Sequence, residues 1–361
     1  MWGRLFSTEE EMRNIRKYDK YDLWFSEVSS GRLDDLLPLY KKAGGRGVFE
    51  SGVIKAGRDN LDFYEKGEEW LEKEDIKIVC LEDDDYPPLL KEIYDPPYLL
   101  FYRGRLPDPD GVSCAVVGAR KSSPYGRKAA YEIGKALGAA GAEVISGMAL
   151  GADSFAHRGC MDGRGRTFAV LGTGLESTAK VTDRDLYNRI LQSGGGIISE
   201  LPPGTPGLPQ NYPRRNRIIS GLSKAVVVTE AAKRSGTSIT ARLALEQGRD
   251  VYAVPGNIDS ALSLGTNSLI REGATPIISY DSIVEEVGLE KKISPARRTC
   301  LAGLGDDEKV IYNVVKNLGR ISPDRLCSEV GKSQTELSPI LSVMEIKGII
   351  RRELGKITIA N

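Results

Sequence analysis

Four segments rich in Gly, Ser and Thr hold the residues best suited to chemistry, and each follows a short β-branched run. The first, VVGARKSSPYGRKA, combines Gly118, which lets a backbone approach a ligand, with Arg120, a planar five-donor fork. Ser123-Pro124 adds a helix N-cap followed by proline at the first helical position, and an anion is the natural guest of such a loop. The second, SGMALGADSFAH, turns from strand to helix near Gly151, which places free backbone N–H groups and a positive dipole end at the same edge. The third, LGTGLES, approaches the dinucleotide pattern GxGxxG but carries Ser177 where the last glycine belongs. The fourth, TEAAKRSGTSITARLALEQG, sets Ser235, Gly236 and Thr237 at a helix start with Arg234 beside them. Gly-rich turns of this kind also serve tight packing alone, so it is their number on one edge that indicates an oxyanion or phosphate platform.

A fifth segment, PPGTPGLPQNYPRRNRIISGLS, lies between two of the strands. Arg214, Arg215 and Arg217 bracket Asn216 with no intervening carboxylate, and on a helix start they fan over adjacent faces while Ile218 and Ile219 anchor inward. That arrangement favours phosphate contact over a merely solvated turn. Tyr125 and Tyr212 offer surfaces on which bases could stack.

Other chemistries lose their footing. Gly331 to Ser333 reads GKS, but Leu326 stands where a phosphate-binding loop needs its first glycine, so this is a helix boundary. The chain has one histidine, His157, and five cysteines without a CxxC pair, which removes zinc and, unless His157 serves as base, triad catalysis. A helical His157 reads as a structural residue, and no metal or cofactor is expected. Lys and Arg number 50 against 50 Asp and Glu, so binding of nucleic acid requires local clustering of charge.

The elements that must position these residues follow from periodicity. With 361 residues the chain exceeds one ordinary core. Residues 8 to about 75 read as helices, with Leu33, Leu36, Leu37 and Tyr40 on one face and a turn at Gly44-Gly45. A Pro-punctuated connector follows, with LLFY as a short strand. From Val112 to about Val287, the runs CAVVG, AEVISG, RTFAVLG, GIISE, KAVVVTE, DVYAVPG and TPIIS alternate with helical segments, the pattern of strands covered on both faces. The expected fold is α/β: an extended Rossmann-like, mostly parallel sheet flanked by an N-terminal helical domain and a C-terminal winged-helix domain. The boundaries are a helical domain over 1–80, the Rossmann-like domain over 81–288, a charged linker over 289–305 and the winged helix over 306–361. No window reaches a membrane span, and the acidic N-terminus MWGRLFSTEEEMRN lacks a signal-peptide core, so a cytoplasmic location is expected.

The blocks YPPLLKEIYDPPYLLFYRG, VVGARKSSPYG, SGMALGADSFAHRG, YPRRNRIISGLS, RSGTSITARLALEQGRDVYAVPG and GTNSLIREGA, in that order from Tyr86 to about Val287, resemble the DNA processing protein A (DprA/Smf) family. The resemblance implies a Rossmann-like protein that binds and protects single-stranded DNA and helps load a RecA-type recombinase during natural transformation. It further implies a homodimer, a non-enzymatic role, and, for the helical N-terminus, a SAM or helix-hairpin-helix type of module. Carried over by position, the DNA-contacting edge comprises Gly118, Arg120, Ser122, Tyr125, Gly126, Arg214, Arg215, Asn216, Arg217, Ser235, Gly236, Thr237 and Thr240. After LGTGLE the family has Tyr-Pro and then Asn, whereas this chain reads STAKVTDRDLYN, so no contact is assigned to that loop, Lys180 included.

Two other classes compete. Phosphoribohydrolases acting on nucleoside monophosphates are similar around Gly-Gly-x-Gly-Thr-x-x-Glu, but Thr240 occupies the position of the acid here, which favours binding without hydrolysis. A regulatory protein acting only through its winged helix leaves the loaded carboxyl edge unexplained. The recognition-helix segment SQTELSPILSVMEIKG displays Leu337, Ile340, Leu341 and Met344 and carries Glu336 and Glu345, with basic Arg351, Arg352 and Lys356 confined to the wing. Protein contact or domain docking is therefore expected of residues 306–361, in place of major-groove reading.

Overall fold

The computed structural model describes residues 18–175, 183–233, 235–289, 304–347, 349–353 and 355–359. Arg234, Lys180 and most of the linker expected at 289–305 lie outside them.

At the N-terminal side, α1 (Lys20–Ser29), α2 (Leu33–Ser51) and α3 (Leu61–Lys73) are joined by short turns. Leu33 and Leu36 are buried, and α2 breaks at Gly44, whose φ of 69° and ψ of 171° make the expected turn. Next come β1 (Lys77–Cys80), the single turn α4 (Pro88–Lys91) and β2 (Leu99–Gly104). The helical periodicity predicts no strand before LLFY; β1 is a four-residue KIVC run, and its partner β2 pulls it into the sheet as an antiparallel neighbour.

The alternating region forms β3 (Ser113–Val117), α5 (Pro124–Ala140), β4 (Glu143–Ser146), α6 (Ala152–Asp162), β5 (Thr167–Val170), α7 (Arg184–Gln192) and β6 (Gly196–Ser199). It continues as α8 (Asn211–Gly221), β7 (Ala225–Val228), α9 (Gly236–Glu246), β8 (Asp250–Ala253), α10 (Leu264–Arg271), β9 (Thr275–Pro276) and α11 (Ser282–Glu286). The sheet order is β1-β2-β6-β5-β4-β3-β7-β8-β9. Pairings from β6 through β9 are parallel, while β2 pairs antiparallel with both β1 and β6.

Successive residues of β3 serve opposite faces, as the period of a strand requires. Cys114 and Val116 join Ile133 and Leu137 of α5 in one core. Ala115 and Val117 join the other, which also takes Leu23, Trp24 and Phe25 of α1. The N-terminal helices thus share the core on one sheet face, inside a compact unit spanning Met1–Lys291. No helix among the described residues is long and apolar enough to cross a membrane.

A second compact unit spans Lys292–Asn361. It contains α12 (Asp306–Leu318), α13 (Pro323–Val330), α14 (Gln334–Ile346) and an antiparallel pair, β10 (Ile350–Glu353) and β11 (Lys356–Ile359). Ile311, Val315, Leu326, Leu337, Leu341 and Met344 build its core, and a bridge from Ile321 to Ile357 ties the α12–α13 turn to the ribbon. The GKS run is a boundary as expected: Gly331 caps α13 in the left-handed region (φ 68°) and Ser333 is the N-cap of α14.

Helices α5 and α6 pack backbone against backbone. A Cβ on Gly134 would lie 2.4 Å from the Ala156 carbonyl oxygen, and one on Gly159 only 2.0 Å from that of Tyr131. Gly134→Ala should therefore destabilise the larger unit by about 1–3 kcal/mol through overpacking, despite the better helix propensity of alanine. Urea denaturation followed by circular dichroism checks this, and an unchanged or raised midpoint would refute the close approach.

Candidate nucleic-acid interface

Strand order reverses at β3: β4, β5 and β6 lie to one side, β7, β8 and β9 to the other. Helix α5 covers one face and α9 the opposite face, so the loops leaving β3 and β7 diverge and open a crevice at the carboxyl edge. Its volume is about 460 Å³. Gly118, Arg120, Arg215, Asn216, Ser235, Gly236, Thr237 and Thr240 all line it, with Tyr212 and Asp153.

Each element earns its place locally. Gly118 passes so close to β7 and α6 that a Cβ would lie 2.4 Å from Thr229 Oγ1 and 2.6 Å from Ala152 Cβ. Arg120 is exposed at the mouth, its guanidinium carbon 4.8 Å from the Tyr212 ring centroid. Tyr212 therefore supports a cation, an arrangement that costs the guanidinium none of its in-plane donors. Ser235 caps α9, its Oγ accepting from the Ser238 N–H at 3.3 Å, so the first turn of α9 opens into the crevice. A Cβ on Gly236 would meet nothing within 4 Å, which leaves that approach to a guest. Asn216 Nδ2 donates to the Gly236 carbonyl at 3.3 Å, and the Thr240 hydroxyl donates to the same oxygen at 3.4 Å.

The expected fan of arginines is redirected. Arg215 is only 5% exposed: its Nη1 donates to the carbonyl of Gly147 at 2.9 Å and to that of Val170. Burial brings this guanidinium down to about 10, with Asp153 opposing the fall and Arg120 adding to it, so it stays cationic at neutral pH. Asp153 accepts from the N–H groups of Gly147 (3.1 Å) and Ala149 (3.4 Å). Burial pushes its carboxyl above the usual range, against the pull of Arg215 and those amides. Arg217 points away from the crevice altogether, donating from Nη2 to Glu200 at 2.6 Å and from Nε to Asp95 at 3.0 Å. Arg214 Nε lies 3.2 Å from the other oxygen of Glu200. Phosphate contact by Arg217, expected from its position in the run, is replaced by an internal ion pair because α8 turns that face toward two acids.

Ser122, Tyr125 and Gly126 also lie outside the crevice. Ser122 is buried, and its carbonyl accepts from Arg127 Nη1 at 2.7 Å. Gly126 sits against Glu230, whose carboxylate accepts from the Ser123 N–H (2.8 Å) and hydroxyl (2.5 Å). The Tyr125 hydroxyl donates to the Pro255 carbonyl at 2.7 Å, holding its half-exposed ring over a neighbouring cleft of about 470 Å³. Sequence reasoning passed over Asp153 and Glu230, the two acids that hold the loops. An acid directly after a strand or in the first turn of a helix was the available signal.

Residues 77–288 match the family model described as DNA recombination-mediator protein A. Protein Smf of Escherichia coli K12 is 41% identical over 218 residues, which are 60% of this chain and 58% of that protein. The chain thus spans under two thirds of that relative's length. DNA processing protein DprA of Streptococcus pneumoniae R6 is 41% identical over 204 residues, 56% of this chain and 72% of that one. The X-ray structure of DprA from Streptococcus pneumoniae superposes with a TM-score of 0.62 at 32% identity, covering 77% of this chain and all (100%) of that chain. DNA processing protein A from Helicobacter pylori, whose structure concerns its single-stranded DNA binding mode, gives a TM-score of 0.51 at 25% identity over 58% of this chain and 95% of that one.

His157, beneath the second loop, is fully buried. The Thr167 hydroxyl donates to the Val144 carbonyl at 2.7 Å, so the His157 Nδ1–H donates to Thr167 Oγ1 at 2.6 Å, which fixes the tautomer. Burial first, and then the charge of Arg215, lower the imidazole from 6.5 to about 3. Between those values the unfolded chain binds a proton that the folded one refuses, so acid favours unfolding. Stability should fall as pH drops from 6.5 toward 3, by at most about 1.4 kcal/mol per pH unit from this residue. His157→Leu removes the group from both states, and its denaturation midpoint should decline less steeply over that window. Parallel pH profiles for the two proteins would show that the imidazole titrates normally.

Proposed function

The chain belongs to the DNA recombination-mediator protein A family, and we propose that its switch-point crevice holds the phosphodiester backbone of single-stranded DNA. The observation that carries this reading is the exposed Arg120 seated on Tyr212 at the mouth of a crevice whose opposite wall is the open first turn of α9. A planar cation and backbone N–H groups converge on one volume, the combination that phosphate contacts require. The single-stranded DNA bound by the Helicobacter pylori relative is the same class of ligand. On this reading the protein protects incoming DNA and delivers it to a RecA-type recombinase, as a homodimer in the cytoplasm, in recombination linked to natural transformation.

The role is binding and not turnover. Hydrolysis of a ribosyl bond needs an acid where Thr240 stands, and Thr240 spends its hydroxyl on the Gly236 carbonyl. Asp153 is committed to loop amides and His157 to Thr167, so neither is placed to exchange protons with a guest. The second unit, whose α14 turns Leu337, Leu341 and Met344 into its own core, is assigned to protein contact or docking.

Single-stranded oligonucleotides should bind more tightly than duplex, with log K falling against log salt by about 0.7 per phosphate engaged. Arg120→Ala should weaken binding by about 1.5–3 kcal/mol and leave thermal melting unchanged, since its guanidinium has no role in the core. Replacing Arg215 or Arg217 should instead lower the melting temperature, because each leaves buried acceptors or carboxylates unpaired. Gel-shift titration at two salt concentrations, with melting curves alongside, tests all three. Wild-type affinity in a normally folded Arg120→Ala protein would move the site elsewhere.

A further inference from the structure

The cleft beneath Tyr125 shares its loops with the crevice. The loop after β3 gives Arg120 to the crevice and Ser123 and Tyr125 to the cleft. The loop after β8 gives Leu262 to the crevice and Ser260 and Ser263 to the cleft. Just past β7, Glu230 lines the cleft and Ala232, two residues on, lines the crevice. A nucleotide whose phosphate lies in the crevice therefore has the cleft beside it.

The two volumes differ in chemistry. Among the described residues lining the cleft, Glu230 is the one charged side chain, and it is only 2% exposed. Its two oxygens accept from the Ser123 N–H and hydroxyl, and a carboxylate has lone pairs beyond those two bonds. Ser263 is 3% exposed and stands at the N-cap position of α10, yet its hydroxyl makes no capping bond. It lies instead against Gly256, where a Cβ would come within 2.1 Å of Ser263 Oγ. A buried serine that forgoes its cap and lines a cleft has a hydroxyl available to a guest. The wall beside it is fixed, because Asn267 accepts from the Gly256 N–H at 3.2 Å and donates to the Gly256 carbonyl at 3.0 Å. Tyr125 contributes a ring that is 45% exposed and pinned through its hydroxyl to the Pro255 carbonyl. An aromatic face held rigid and open suits a flat guest, which stacks on it at little further loss of side-chain freedom. A lone buried carboxylate disfavours phosphate and favours N–H donors, so the guest that fits is planar, uncharged and bears amino hydrogens.

We propose that this cleft takes one amino-bearing base of a bound single strand, stacked on Tyr125, with its exocyclic amino group donating to Glu230 and a ring acceptor taking the Ser263 O–H. The proposal rests on the crevice reading given above. It adds a base preference that phosphate contacts do not supply: cytosine, with an amino donor at C4, over thymine, with an acceptor oxygen there.

The test uses the full chain with three strands of about 16 nucleotides: oligodeoxycytidylate, oligothymidylate and an abasic phosphodiester. The wild-type protein should bind the cytidylate about fivefold or more tightly than the thymidylate. Tyr125→Ala should weaken the cytidylate by about fivefold or more and leave the abasic strand within about twofold, while Tyr125→Phe, which keeps the ring, should retain most of the affinity. Ser263→Ala should weaken the cytidylate by about threefold or more without lowering the melting temperature, since its hydroxyl caps nothing. Arg120→Ala, by contrast, should weaken all three strands. If Tyr125→Ala leaves the cytidylate unaffected while Arg120→Ala weakens every strand, the base subsite is wrong and the crevice reading survives. If Arg120→Ala weakens none, the crevice reading fails, and a base-dependent loss in Tyr125→Ala then supports the cleft alone. Equal wild-type affinity for cytidylate and thymidylate overturns the proposal, as does a loss in Tyr125→Ala that is as large for the abasic strand.

Discussion

The carboxyl edge of the sheet depends on the buried guanidinium of Arg215. Its Nη1 joins the carbonyls of Gly147 and Val170, just past β4 and at the end of β5, and so locks α8 across two strand ends. A cation so deeply buried is stable only where acceptors and an opposite charge surround it, and Asp153 supplies that charge while gathering the amides of Gly147 and Ala149. The crevice is therefore assembled before any guest arrives. Preorganisation of this kind lowers the ordering cost of binding.

The same economy governs the other charges. Glu200 and Asp95 hold Arg217, and Asp95 also accepts from Gly31, so one buried network links α8 to the turn between α1 and α2. Glu230 reaches from the end of β7 to cap the start of α5 through Ser123. Acids consumed inside the fold leave Arg120 exposed at the crevice mouth. A chain with equal numbers of acidic and basic residues can thus place a cation at the mouth of its crevice, because position and not composition sets the local field.

The family match from 77 to 288 begins at β1 and runs past α11, so it includes the crevice and the whole sheet. The N-terminal helices fall outside it, yet they bury Leu23, Trp24 and Phe25 in the core that Ala115 and Val117 enter from the sheet. The helices complete that face of the sheet. The unit beyond Lys291 differs in kind, with a core of its own.

The alternation of apolar runs with helical segments was enough to specify a mostly parallel sheet, because strands covered on both faces need no polar residue. The helix starts at Ser123, Ser235 and Ser333 were equally legible, since capping is a local interaction among neighbours in sequence. The place of Gly118, Arg120 and Gly236 along one crevice could be read from residue type and spacing. What spacing could not decide was which of three adjacent arginines faces out: that depends on Glu200, Asp95, Gly147 and Val170, partners up to 122 residues away. β1 was missed for a related reason, since a four-residue run becomes a strand only when β2 supplies its hydrogen bonds. Sequence by itself determined the class of fold, through local periodicity, and marked the loops that line the crevice, through local chemistry. The division of charged groups between interior and surface was settled by tertiary structure alone, because burial and pairing are properties of neighbours in space.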